Sequence, residues 1–188
     1  MTDALLAVVQ RGVRVFDLGR PMFPGMPVLL DVPAALGADT CPAAYEITPD
    51  DLDTCCRTQQ LEPGAGDVVL VRSGWGRQFD EGTEAYLGRA TGVPGVGEAG
   101  ARWLAARGVL AVGADTIAFE RLPPGGGHAL LPAHRVLLVQ HGIYIVEALA
   151  LEELAAAAVR EFTFVLTPLN LVGATGSPVR PLAVVTDA

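Results

Sequence analysis

Short runs rich in valine, isoleucine and leucine recur along the chain, each followed by residues with helix signals, and this alternation constrains the fold more than any other feature. Val28 to Val32, Asp67 to Arg72 (DVVLVR), Val109 to Val112, Ile143 to Val146, Glu161 to Leu166 and Leu182 to Val185 read as strands, and DVVLVR is apolar enough to be a central one. Thr48-Pro49-Asp50-Asp51 supplies a cap, a first-turn proline and acids at the positive end of the dipole, predicting a helix to about Gln60. Glu98 to Arg107, closed by Gly108, and Leu151 to Val159 are further helices. Pro132 opens another, in which His134, Leu137, Leu138 and His141 share one face and which Gly142 stops. Nearer the start, Thr2 caps a helix over residues 3 to 11, Val13 to Leu18 alternates as a strand, and Gly19 to Pro27 is a loop broken by its prolines and glycines. Pro123 to Gly127 and Thr175 to Pro181 are links. The alternation predicts one mixed α/β layer structure, and 188 residues against ~150 per domain predicts a single domain over 1–188.

Composition then removes whole classes of function. All 13 basic residues are arginine, so Schiff-base chemistry, a pyridoxal-phosphate anchor and a P-loop lysine are excluded. A formal charge of −8 with no arginine stripe sets nucleic-acid binding aside. No run approaches the ~20 apolar residues that span a bilayer. The apolar run near the start, Ala4 to Val9, is too short for a signal peptide and follows Asp3 rather than a basic segment. Cys41, Cys55 and Cys56 are odd in number, and neighbours in sequence pair only with strain, so no disulfide framework is expected. A reduced, cytoplasmic protein that binds neither membrane nor nucleic acid is the expectation. Cys55-Cys56 reads as two small apolar helix residues, because the acids preceding them raise a thiol's pKa.

The order of several motifs resembles the cyclase family that includes kynurenine formamidase and isatin hydrolase. The stretches that carry it are DLGRPMFPGMPV (17 to 28), ITPDDL (47 to 52), GDVVLVRSGWG (66 to 76), GADT (113 to 116), LPAHRVLL (131 to 138), GIYIVEAL (142 to 149), TPL (167 to 169) and GATGSPVRPLA (173 to 183). The resemblance implies a swivelling β/β/α fold, commonly oligomeric, with a zinc or manganese site that makes or breaks bonds at a carbonyl. It also implies an H-x-G-T-H-x-D-x-P-x-H segment that supplies two histidines and an aspartate to the metal and a further catalytic histidine. This chain departs from the pattern there: Pro27-Val28 runs directly into Leu29-Leu30-Asp31-Val32, and no histidine precedes His128. The N-terminal metal-binding segment reads as deleted, with its flanks kept.

By position within their motifs, His134 and Glu147 match the family's remaining histidine and glutamate. A carboxylate within reach of an imidazole raises its pKa and fixes its tautomer, making an acid/base unit. Two ligands fall short of the three that a catalytic zinc takes, and His141, seven residues on along one helix, lies about 10 Å from His134. No metal is therefore expected; if zinc or manganese is bound, His134 and Glu147 hold it, completed by Asp115, Glu120 or His128. Ser73 and Trp75 in the strand-end loop, Asp115, His128 beside three glycines, and Arg180 as partner for a carboxylate are the candidate substrate-binding residues.

The expected function is that of a small-molecule enzyme of specialised or aromatic metabolism. It acts at a carbonyl-containing substrate by cyclisation, dehydration, or lactone or amide opening, through His134 and Glu147 as general acid and base and without a metal. The alternatives are a metal-dependent arylformamidase-like hydrolase with a rebuilt site, and a non-catalytic family member serving as a binding or partner subunit. Loss of the segment should expose a sheet edge, so a homodimer or larger assembly is expected.

Overall fold

The computed structural model describes residues 27–126, 128 and 130–185. The helix expected over 3 to 11, the strand over 13 to 18 and the loop up to Met26 lie outside the described residues. From Pro27 on, the chain runs β1 (Pro27–Asp31), α1 (Val32–Ala35), β2 (Glu46–Ile47), α2 (Pro49–Gln59), β3 (Val68–Arg72), a 3-10 helix (Trp75–Phe79), α3 (Thr83–Leu87), β4 (Gly95–Val96), α4 (Glu98–Ala106) and β5 (Ala111–Ala114). It continues through α5 (Pro132–His134), a π-helix (Arg135–Gln140), β6 (Tyr144–Val146), α6 (Glu152–Ala156), β7 (Thr163–Val165) and β8 (Leu182–Val184).

The main sheet has the order β1-β3-β5-β6, with every neighbouring pair parallel. Side chains alternate across it, and both faces are covered. Val28, Leu30, Val69, Val71 and Val112 join α2, α4 and the π-helix in one core, while Leu29, Leu70, Ala111 and Val146 pack against Leu149, Leu151 and Phe162 in another. Burial on both faces is why DVVLVR carries no polar alternation. Gly113 permits close packing on the second face, where a Cβ would lie 2.7 Å from Leu149 Cδ1.

Helix α2 starts as its sequence predicts. Thr48 Oγ1 accepts from the Asp51 N–H at 3.3 Å, and Asp51 Oδ2 accepts from the Thr48 N–H at 2.8 Å. Two expectations need correction. The strand expected at Val109–Val112 lies at Ala111–Ala114, so Asp115 follows its last residue directly. The helix expected from Pro132 is α-helical for only three residues and then widens into the π-helix. A π turn holds more residues than an α turn. The buried face is accordingly Ala133, Val136 and Leu137, while Leu138 and His141 are exposed.

Register places the site. Asp31 pairs with Arg72, Val71 with Ala114 and Gly113 with Val146. The residues that follow the strands, Ser73, Asp115 and Glu147, thus emerge side by side at the carboxyl edge, where open parallel sheets bind ligands.

Candidate functional site

Helix α5 begins without a side-chain cap from its own first residue, Leu131. Glu120 supplies one from elsewhere. Its carboxylate accepts the Ala133 N–H at 3.2 Å and the His134 N–H at 2.9 Å, satisfying donors that a helix start leaves orphaned. The same Oε2 lies 2.6 Å from His134 Nδ1, and the far side of the ring, Nε2, lies 3.2 Å from Glu147 Oε1. Exposure grows outward along this line, with side chains 2% exposed at Glu120, 20% at His134 and 38% at Glu147.

With a carboxylate oxygen at each nitrogen, the doubly protonated imidazolium satisfies both. The hydrogen bonds to Glu120 and then Glu147 outweigh the burial that opposes them, and the His134 pKa is pushed up to about 9. At neutral pH the ring is a proton donor whose Nε2–H is directed at Glu147 Oε1 on the more exposed side.

The backbone that presents Glu147 is tied to the neighbouring strand end. Ala148 adopts a left-handed φ of 56°, its N–H donates to Thr116 O at 2.9 Å, and the Leu149 N–H donates to Ala114 O at 3.0 Å. Asp115 organises the adjacent loop. Its carboxylate accepts from Ser73 N–H at 2.9 Å, Ser73 Oγ–H at 2.7 Å, Gly74 N–H at 2.8 Å and Gly76 N–H at 3.3 Å. Burial raises the Asp115 pKa despite these bonds, which pull it down. Trp75 donates Nε1–H to Tyr86 O at 2.9 Å, and the Tyr86 hydroxyl donates to Asp115 O at 3.2 Å, closing the knot.

The residues expected from the sequence therefore fall into three places. His134 and Glu147 face each other. Ser73, Trp75 and Asp115 bond to one another as a buried support for the strand-end loop. His128 and Arg180 are exposed and make no hydrogen bond or ion pair with a described residue. Sequence reasoning weighed Glu120 only as a metal ligand and missed its place beneath the histidine. A cleft of about 260 Å³ runs beside Glu147, lined by Leu70, Leu149, Leu154 and Phe164, with Val179 and Pro181, the neighbours of Arg180, on its wall.

The donor set does not fit a complete metal centre. Among the described residues no group of three or more His, Cys, Asp or Glu side chains is placed to hold a metal ion. His134 Nε2 and Glu147 give two donors, and Glu120 is engaged on the other side of the ring, whereas a catalytic zinc takes three protein ligands. Burial pushes the Cys41 and Cys55 thiols up to about 12 and raises that of half-buried Cys56, which disfavours the thiolate that would bind a metal.

A parallel α/β sheet with an imidazole and carboxylates at its carboxyl edge is a scaffold that binds small molecules at that edge. The chain belongs to the family whose sequence model is described as "Putative cyclase", which matches residues 1–121. Among solved structures it resembles a novel cyclase (TM-score 0.74, 32% identity, covering 85% of this chain and 53% of that one). It also resembles an isatin hydrolase bound to the product analogue thioisatinate (TM-score 0.70, 25% identity, covering 87% of this chain and 60% of that one). A third is a potential metal-dependent hydrolase with cyclase activity (TM-score 0.58, 25% identity, covering 94% of this chain and 72% of that one). The chain thus spans between about half and three quarters of the length of these structures. No curated protein matches it.

Proposed function

We propose that this protein is a small-molecule enzyme that acts at a substrate carbonyl by general acid-base catalysis, with His134 as acid and Glu147 as base. The observation that carries the reading is the His134 ring held between a buried and an exposed carboxylate, at 2.6 Å and 3.2 Å. Nε2–H donates to the carbonyl oxygen as negative charge builds there. Glu147, the most exposed of the three, takes the proton of the attacking group and returns it to the departing one, and Glu120 keeps Nδ1 protonated throughout. Such positioned proton transfer contributes about 10²–10⁴-fold, enough for substrates that already carry a reactive carbonyl: ring closure, dehydration, or opening of a strained lactone or cyclic amide. The cleft beside Glu147 would take the carbon frame of such a molecule, and exposed Arg180, between the lining residues Val179 and Pro181, is the candidate partner for a carboxylate.

The described donors open to an ion number two, His134 Nε2 and Glu147. The likeness to a potential metal-dependent hydrolase favours a second reading, in which His134 Nε2 and Glu147 share an ion with a ligand from outside the described residues. One experiment separates them. Turnover of a panel of formamides, lactones and cyclic amides is followed before and after chelation, beside metal analysis of the purified protein. Activity that survives chelation supports the acid-base reading; activity lost with the metal and restored by adding it back supports the second. Loss of turnover in both His134→Ala and Glu147→Ala, with the fold intact, is expected on either.

A further inference from the structure

Glu120 owes its position to contacts outside its own helix or strand. It sits in the irregular stretch between β5 and α5, and its N–H donates to Ala118 O, a γ-turn closed around Phe119 at φ 57°. That left-handed turn is costly for a residue with a side chain, and such strain is kept where surrounding structure enforces it. The enforcing structure is β4. Val96 N–H donates to Phe119 O at 3.2 Å, and Arg121 N–H returns to Val96 O at 3.4 Å, so the Glu120 backbone is bracketed by one residue. Gly95 makes this approach possible. A Cβ at Gly95 would overlap the Glu120 carbonyl carbon and lie 2.6 Å from both Glu120 O and Arg121 N, all backbone atoms that cannot swing aside.

We propose that Gly95 is a positioning residue for the acid-base site: its bare backbone lets β4 press the strained Phe119 turn into the one arrangement that sets the Glu120 carboxylate under His134 Nδ1. The inference rests on the site reading above, but what it predicts does not need a substrate. The Glu120 side chain is buried and, among the described residues, bonds only Ala133 and His134, so a shift of its backbone is read directly by the ring. Arg121 braces the same stretch with its side chain, Nε–H donating to Ala44 O at 2.7 Å.

The test is nitrogen-15 and proton NMR of the imidazoles at pH 7 in the intact chain. The short Nδ1–H···Glu120 bond should give His134 a low-field proton that exchanges slowly, while exposed His128 and His141 serve as references in the same spectrum. In Gly95→Ala that proton should move upfield toward the reference histidines or vanish by exchange. Gly88→Ala is the control for general loosening. Its Cβ would lie 2.7 Å from Gly92 O and 2.8 Å from Val93 Cγ2, meeting neither Val96 nor Glu120, and the His134 proton should stay in place. Arg121→Ala, at a half-exposed side chain that introduces no clash, should shift the proton in the same direction by less.

An unmoved His134 proton in a folded Gly95→Ala overturns the proposal. So does an unmoved proton in Arg121→Ala where Gly95→Ala does not fold. A like shift in Gly88→Ala also overturns it, since the effect would then be general loosening. If instead these shifts appear while His134→Ala leaves turnover intact, the positioning stands and the proposed function falls.

Discussion

His134 Nδ1 lies 2.6 Å from Glu120 Oε2, and that same oxygen accepts the backbone N–H of His134 at 2.9 Å, so one atom holds both ends of one residue. Removing the carboxylate should therefore cost more than a surface ion pair does. Glu120→Ala should destabilise the protein by about 3–5 kcal/mol, the range for breaking a buried pair. Glu120→Gln keeps the shape and one acceptor and should cost less, while releasing the imidazole pKa downward from about 9. Urea unfolding and histidine titration check the two halves.

The raised His134 pKa carries a definite sign for stability. Its native value, about 9, lies above the ordinary 6.5, so the contribution is complete below pH 6.5 and is lost as pH rises through 9. Thermal midpoints measured from pH 6 to pH 10 should fall across that window. In His134→Gln the fall over the same window should be smaller, whatever the starting stability.

Asp115 accepts four hydrogen bonds from Ser73, Gly74 and Gly76 within a buried loop. Asn at this position would turn an amide toward at least one donor. Bonds to charged groups are worth about 1.5–3 kcal/mol each, so Asp115→Asn should lose at least that much on urea unfolding. Its activity should drop as well, because Thr116 O anchors the Ala148 N–H beside Glu147.

Arg72 at the end of β3 bonds Asp31 at 2.8 Å and both Glu152 oxygens at 2.9 Å. The two ends of this bridge differ in burial, with side chains 5% exposed at Asp31 and 31% at Glu152. Arg72→Ala leaves the buried Asp31 carboxylate with only Arg160 at 3.6 Å and the Ala34 N–H at 3.3 Å and should cost about 3 kcal/mol, whereas Glu152→Ala should cost about 1 kcal/mol. Burial pushes Glu152 up, but the bonds from Arg72 and Arg77 prevail and its pKa is lowered. Its share of stability is thus present above the ordinary carboxylate range and lost as pH falls through the native value. A urea series at pH 7 and pH 4 checks both the ranking and the sign.

Edge strand β6 presents Tyr144, 62% exposed, and the π-helix before it presents Val139, 78% exposed. Apolar groups of this size beside an edge that no described strand covers favour self-association. A homodimer or larger is expected by light scattering at micromolar concentration, and Val139→Glu with Tyr144→Arg should shift it toward monomer.

Much of this architecture is legible because local signals and tertiary packing agree. Thr48 and Asp51 sit at the spacing of a capping box, and DVVLVR has no polar alternation because two layers cover it. Other parts depend on contacts that no local pattern encodes. The β5 strand begins two residues later than its apolar run, since pairing with β3 and not hydrophobicity alone sets its ends. The π-helix breaks the period on which a face is read. Glu120 is the clearest case, because its place depends on a γ-turn at Phe119 and a glycine 25 positions earlier. His134 and Glu147 were reached through motif position, and periodicity alone would leave His134 as an ordinary core histidine.

Three neighbouring parallel strands deliver Ser73, Asp115 and Glu147 to the same rim with no intervening residue. The opposite rim, where residues 62–67 and 108–110 enter β3 and β5, holds none of them. Grafts, tags or lengthened connections placed there would leave the reactive groups unmoved, so this side of the molecule is the natural point of attachment for immobilising or fusing it.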